Sequence, residues 1–232
     1  MKKLKNIAFA ALAGALLNVG TMYLCQGVLG LPLFMDTMFT VAFTFFGGLP
    51  CGIAAAVMSQ PVGHLLINSV QSTDLPNYLY TLCSITAALI TAFFMRIFPA
   101  ECSAGRGAEP AGAARSARLP PWEGGRIFDR ISVLFILSLV MCAGMSLLGG
   151  IISSIIAAFF TPQSALDAGL SMFRRTLIRK GLPLLAVEVL CRIPVNIPDR
   201  LIAVFGGYGF ALALTGLSTW IRRKKTEGKT EA

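Results

Sequence analysis

Five polar residues crowd into one short stretch of an otherwise greasy segment. LPLLAVEVLCRIPVNIPDRL, residues 182–201, holds Glu188, Arg192, Asn196, Asp199 and Arg200. A guanidinium is suited to a carboxylate or phosphate, which it holds by charge-assisted hydrogen bonds. On that chemistry Arg192 and Arg200 would take anionic groups of a ligand. Asp199 and Glu188 would accept from ligand N–H or O–H groups, or orient the arginines. A purely structural reading stands beside this one. Glu188 and Arg192 have the i,i+4 spacing of a self-neutralising pair, and Asp199 after Pro198 could N-cap the next helix. Charges next to hydrocarbon are expensive unless paired or wet, which makes them a functional hypothesis by default.

Pro194 and Pro198 lie among these residues. Each removes a backbone donor and biases the residue before it away from helix. The sequence therefore predicts a break near 194–198. Broken backbone at membrane depth is tolerated only where protein buries it or water reaches it. The expectation is a polar pocket at the outer mouth of a membrane bundle.

Other residues could contribute. Asp36 opens an apolar run and could either cap a helix or line the outer mouth of a cavity. Gln60, His64 and Asn68 repeat every four residues and would share a helix face. Such a polar stripe must face protein or water; inter-helix hydrogen bonds and cavity lining are both open. Tyr208 sits in Gly206-Gly207-Tyr208-Gly209 beyond the arginines. The candidate substrate-binding set is thus Asp36, His64, Asn68, Glu188, Arg192, Asn196, Asp199, Arg200 and Tyr208.

The elements that must position them are membrane helices. The chain is 55% hydrophobic and 13% charged, with mean hydropathy +0.72. Soluble domains carry about 25% charged residues. Apolar runs long enough to cross a bilayer recur along it, and the short alternating segments of a β-barrel are missing. The fold class is all-α, a polytopic membrane helix bundle of about six transmembrane helices. The net charge of +9 does not point to nucleic acid, because the basic residues flank apolar runs without an aromatic–basic surface pattern. The six cysteines are scattered without a C-x-x-C pair and read as small apolar filler.

The predicted helices cover about 6–29, 34–46, 51–69, 78–98, 131–160 and 182–221, all within one membrane domain, 1–232. Lys2, Lys3 and Lys5 precede the first, and Arg222, Arg223, Lys224 and Lys225 follow the last. Both clusters place their termini in the cytoplasm. The 34–46 run is short, and is read as tilted and buried or as half of a re-entrant pair. Residues 99–126 are rich in Ala, Gly, Pro and Arg and read as a flexible cytoplasmic linker. The basic segment 174–180 falls on the outer side by helix counting, against the usual charge bias. Leu166, Leu170, Phe173 and Leu177 give it the spacing of an amphipathic surface helix. In the first helix Ala10, Ala11, Gly14 and Ala15 form i,i+4 small pairs that let another helix approach. That partner could be another helix of this chain or a separate subunit.

Several chemistries find no support. The chain has no phosphate-binding P-loop, no metal-ligand spacing and no H-E-x-x-H. No catalytic constellation surrounds the lone histidine. The expectation is not an enzyme, with no cofactor, no metal and no nucleic-acid partner.

The segments FMDTMFTVAFTFFGGLPCGI and PVNIPDRLIAVFGGYG, the chain length, the six predicted helices and the alanine-rich first helix with Ala11-x-x-x-Ala15 together carry a resemblance. The chain resembles the substrate-binding S components of energy-coupling-factor vitamin transporters. That resemblance implies a bacterial cytoplasmic (inner) membrane protein that captures a small water-soluble nutrient at its outer face. It implies separate partners, a transmembrane coupling protein docked on the first helix and ATPase subunits. The alternative is a membrane sensor or anchor module that works with a separate signalling protein.

Overall fold

The structure is a computed structural model that describes residues 2–31, 33–67, 75–102, 123–159 and 166–230. All secondary structure among the described residues is helical, with no strand. α1 (Lys2–Met22) continues through a wider π-helical turn, Tyr23–Val28. α2 (Met38–Gly47) and α3 (Leu49–Ile67) follow, then a 3₁₀ turn (Leu75–Tyr80) leading into α4 (Thr81–Ile97). α5 (Pro99–Cys102), α6 (Glu123–Phe159), α7 (Leu166–Arg179) and α8 (Leu184–Thr230) complete the chain.

Among the described residues, five stretches are long and apolar enough to cross a membrane: Ile7–Val28, Leu49–Leu66, Tyr78–Ile97, Ile127–Ile156 and Leu184–Ile221. The protein is a multi-pass membrane protein. The sixth predicted helix is α2, and it has ten residues. At 1.5 Å per residue it covers roughly 15 Å, half of a hydrocarbon core of about 30 Å.

The predicted 34–46 helix starts only at Met38 because the chain before it cannot be helical. Met35 has φ +46°, a left-handed conformation that costs a residue with a Cβ. Thr37 is non-helical at φ −120°, ψ −2°. Residues 33–37 run back alongside the second half of α1. Gln26 Nε2 donates to the Leu33 carbonyl (3.2 Å), Thr21 Oγ1 to the Met35 carbonyl (2.9 Å), and Asn18 Oδ1 accepts from the Phe39 N–H (2.9 Å). As the partner moves up the chain, the α1 residue moves down it. The second span is therefore a broken one, part extended and part helix.

α2 is the hub. Val41 and Phe45 enter a core with α4, α6 and α8 residues such as Phe94, Leu137, Met141 and Val204. Phe39, Ala42 and Phe43 enter a second core with Ala10, Cys51 and Ala55 of α1 and α3. Seven α2 residues are buried, so this short helix is apolar all round. α1 packs on α3, α6 on α8, and α4 bridges α3 and α6. Lipid tails offer no hydrophobic drive between helices, so these contacts rely on close packing. Gly207 supplies one such contact: a Cβ there would lie 2.8 Å from the Met38 carbonyl oxygen. Large apolar side chains such as Phe9, Leu12, Leu65 and Phe93 face outward, as a lipid solvent allows.

α8 overturns the expected break. It runs unbroken through Pro194 and Pro198. Pro194, Ile197 and Pro198 lie on its exposed side, while Val195, Asn196, Asp199 and Arg200 are buried. The missing backbone donors are thus kept to one outward strip, and packing of the other side on α6 and α2 holds the helix straight. With no helix start at Asp199, that residue is not an N-cap. α6 begins at Glu123, earlier than the predicted 131, and the small residues Gly144, Gly149 and Gly150 stay helical. Of the expected 99–126 linker, Pro99–Cys102 is helical and residues 103–122 lie outside the described set.

Candidate functional site

The site forms where the broken span meets α8. Asp199 and Arg200 are consecutive on α8, and both reach across to residues 35–37. Asp199 is fully buried. Its Oδ1 accepts from the Met35 N–H at 2.8 Å, and its Oδ2 lies 2.5 Å from Arg200 Nη2. Arg200, 4% exposed, donates through Nη1 to the Thr37 hydroxyl. Its Nη2 also lies 3.5 Å from Asp36 Oδ1. The positive φ of Met35 explains this geometry. It turns the Met35 N–H toward α8, where the buried carboxylate compensates it, and strain held in this way concentrates at functional positions.

Two features separate this cluster from an inert salt bridge. Arg200 Nε, Asp36 Oδ1 and Asp199 Oδ2 are buried without a hydrogen-bond partner. Asp36 is also the only one of the three ionic side chains with appreciable exposure, 24% against 5% for Arg200 and 0% for Asp199. The cluster is thus closed on the Asp199 side and open on the Asp36 side.

Arg192 and Asn196 extend the same face of α8, each one turn apart. Asn196 Nδ2 donates to Ser146 Oγ of α6 at 2.9 Å. Arg192 Nη2 donates to the Tyr80 hydroxyl at 3.0 Å, and its guanidinium lies over the Tyr80 ring at 5.5 Å. Among the described residues no carboxylate pairs with Arg192, and its Nε is buried without a hydrogen-bond partner. α8 thereby presents Arg192, Asn196 and Arg200 in a line, against Tyr80, Ser146 of α6 and residues 36–37 in turn.

No protein-family model, curated protein or solved structure matches the chain. The site must be read from its own geometry.

That geometry gathers Asp36, Arg192, Asn196, Asp199 and Arg200 and leaves out other candidates. Glu188 does not pair with Arg192. It meets Arg174 of α7 at 2.6 Å, because the next turn of α8 aims its carboxylate at α7 while Arg192 turns to Tyr80. His64 sits by Tyr78, ring centroids 6.1 Å apart, near the start of the fourth span and not in this cluster. Tyr208 packs edge-on to Phe45 at 5.3 Å and under Arg130 at 5.9 Å, about two turns further along α8 from Arg200. Asn68 lies outside the described residues. The cluster runs along one face of a continuous helix, where a break near 194–198 was expected.

The small residues of α1 also need correction as a free docking face. Ala10, Gly14 and Ala15 are buried within the chain. A Cβ at Gly14 would lie 2.6 Å from Ala55 Cβ and 3.0 Å from the Phe43 ring, so their smallness serves the crossing of α1 with α3 and α2. Of Ala10, Ala11, Gly14 and Ala15, only Ala11 is half-exposed.

One residue that the sequence reading passed over joins three helices through its side chain. Asn18, 1% exposed, donates to Thr40 Oγ1 (3.0 Å) and Ser59 Oγ (3.1 Å) and accepts from the Phe39 N–H (2.9 Å). It ties α1, α2 and α3 together at the start of α2. An asparagine near the centre of an apolar span is itself the signal, since it must find polar partners inside the bundle.

Proposed function

We propose that the chain is the substrate-binding membrane subunit of a bacterial micronutrient importer of the energy-coupling-factor type. It sits in the cytoplasmic (inner) membrane with both termini in the cytoplasm. It captures a small water-soluble ligand from outside, and a separate coupling protein and ATPase subunits supply the energy. The observation that carries this reading is the incompletely satisfied ionic cluster where residues 35–37 meet Arg200. Discontinuous spans with charged residues at their break are how membrane carriers build a binding site inside hydrocarbon. Arg200 anchors the anionic part of the ligand, with Arg192 and Asn196 as further contacts and Tyr80 backing Arg192.

The test is native mass spectrometry of the protein purified gently from its own membrane, beside Arg200→Met. A small molecule that travels with wild type and is lost from the variant supports the reading. Co-purification with ATPase subunits completes it. If wild type carries nothing and no ATPase accompanies it, the reading fails. Ala11→Trp then probes docking, because of Ala10, Ala11, Gly14 and Ala15 it is the one with a partly open side; uptake should fall while ligand stays bound.

A second reading draws on α8. One unbroken helix runs from Leu184 past Arg200 to Thr230, a stiff connection between the cluster and the segment beyond the last span. A sensor that reports a ligand to a separate signalling protein would use such a rod. Co-purification with a kinase or cyclase in place of ATPases would select it.

A further inference from the structure

We propose that Asp36 is a displaceable counter-anion, occupying on Arg200 the place that a ligand's carboxylate takes. The ligand class is a small carboxylate-bearing molecule. This inference deepens the carrier reading above and rests on it for its biological meaning.

The two acids around Arg200 are held very differently. Asp199 is adjacent in the chain, fully buried and close at 2.5 Å, with its other oxygen tied to the Met35 N–H at 2.8 Å. It is a fixed part of the frame. Asp36 stands at 3.5 Å, beyond a charge-assisted hydrogen bond, and is 24% exposed. It rides on the non-helical segment next to the left-handed Met35.

The geometry of the guanidinium sharpens the difference. Nε and Nη2 form one edge that matches the two oxygens of a carboxylate. Along this edge Nε has no hydrogen-bond partner; Nη2, which carries two N–H groups, has Asp199 at 2.5 Å and Asp36 at the longer 3.5 Å, so an incoming carboxylate would share Nη2 with Asp199 and take Nε for itself. Nη1 is already used by the Thr37 hydroxyl. Asp36 thus supplies a negative charge near this edge without completing the fork. A free carboxylate, not constrained by the backbone of residues 33–37, can engage both nitrogens. It arrives on the exposed side, where Asp36 lies.

Displacement has a structural consequence. Residues 33–37 are held to α1 by two side-chain bonds, from Gln26 to the Leu33 carbonyl and from Thr21 to the Met35 carbonyl. Releasing Asp36 from Arg200 removes one restraint on the extended half of the second span. Ligand binding would therefore loosen that half while the helical half, α2, stays packed in both cores.

Chemical rescue tests the proposal on the full-length protein in detergent. Asp36→Gly removes the internal carboxylate and leaves a vacancy beside Arg200. Its thermal midpoint should drop, and sodium formate should restore roughly 2–4 °C, the shift one recovered interaction gives a chain of this size. Formamide and sodium chloride at matched ionic strength should not. Wild type should respond to formate more weakly than Asp36→Gly but more than to formamide, because there the carboxylate must first displace Asp36. Equal formate shifts in wild type and variant, or none in the variant, overturn the proposal. If Asp36→Gly does not fold, Asp36→Ala leaves nearly the same vacancy with less backbone freedom and is read in the same way. A formate rescue without any co-purifying nutrient or ATPase retires the importer and leaves this site. A bound nutrient without formate rescue retires this site and leaves the importer.

Discussion

Two polar knots hold the same broken span, and they are built on opposite principles. The knot at Asn18 is neutral. Both amide hydrogens and the carbonyl oxygen are used, on Thr40, Ser59 and the Phe39 N–H, and Ser59 and Thr44 bond back to carbonyls of their own helices. The knot at Arg200 is ionic, with two acids on one base and buried atoms without hydrogen-bond partners. A satisfied neutral network rigidifies a core at modest cost. An ionic cluster with unmet valence is costly to keep in an apolar bundle. The pairing of the two teaches a division of labour: Asn18 fixes where α2 begins, and Arg200 keeps capacity for a further partner.

The largest effect should come from splitting the ionic knot. Asp199→Ala strands Arg200 and the Met35 N–H, and breaking one side of a buried pair costs about 3–5 kcal/mol. Unfolding followed by loss of helical signal should show it. Asp199→Ala combined with Arg200→Met should recover most of the loss, since apolar replacement of a whole buried pair is often neutral. If single and double variants are equally damaged, packing and not charge holds this region. The double variant should fold without binding ligand, which no change at Asn18 should do.

Asn18→Leu comes next. It leaves the Phe39 N–H, Thr40 and Ser59 without their shared partner, for a cost of roughly 1–3 kcal/mol. Ligand affinity of the folded fraction should stay at the wild-type level, because Asn18 bonds none of the residues in the Arg200 cluster. A fall in affinity at unchanged stability would merge the two knots into one site and break the comparison.

Much of this architecture is legible in the sequence, and the misses have physical causes. Apolar runs exceeding bilayer length announce their spans directly, and the short run after Asp36 already reads as buried or re-entrant. α8 was harder. Two prolines four residues apart look like a break, but at that spacing both fall on one face, and here that face is turned outward. Local propensity could not reveal which side packs. Pair identities were equally hidden. Glu188 and Arg192 have the spacing to neutralise each other, yet α7 and the 3₁₀ turn before α4 supply Arg174 and Tyr80 as stronger claims on them. Asp36 and Arg200 are far apart in the chain, so only the topology brings them together. Asn18 carried a readable signal, a lone amide in mid-span, that spacing-based motif searches do not weigh.

The smallest effect should appear at the edge of the site, where α7 is held. Arg174 and Glu188 meet at 2.6 Å, with side chains 22% and 8% exposed. α7 otherwise touches the bundle mainly through α8, and Arg175, Arg179 and Lys180 are exposed. The pair is thus a local latch and not part of either knot. Glu188→Gln keeps the shape and removes the charge. Partial exposure screens the pair, so the thermal midpoint should move by no more than the effect of about 1 kcal/mol. The local effect should be larger than the global one: hydrogen exchange in residues 166–180 should speed up while α2 and the middle of α8 keep their protection. If exchange instead rises around residues 33–37, the latch is coupled to the broken span, and α7 acts on the Arg200 cluster through α8.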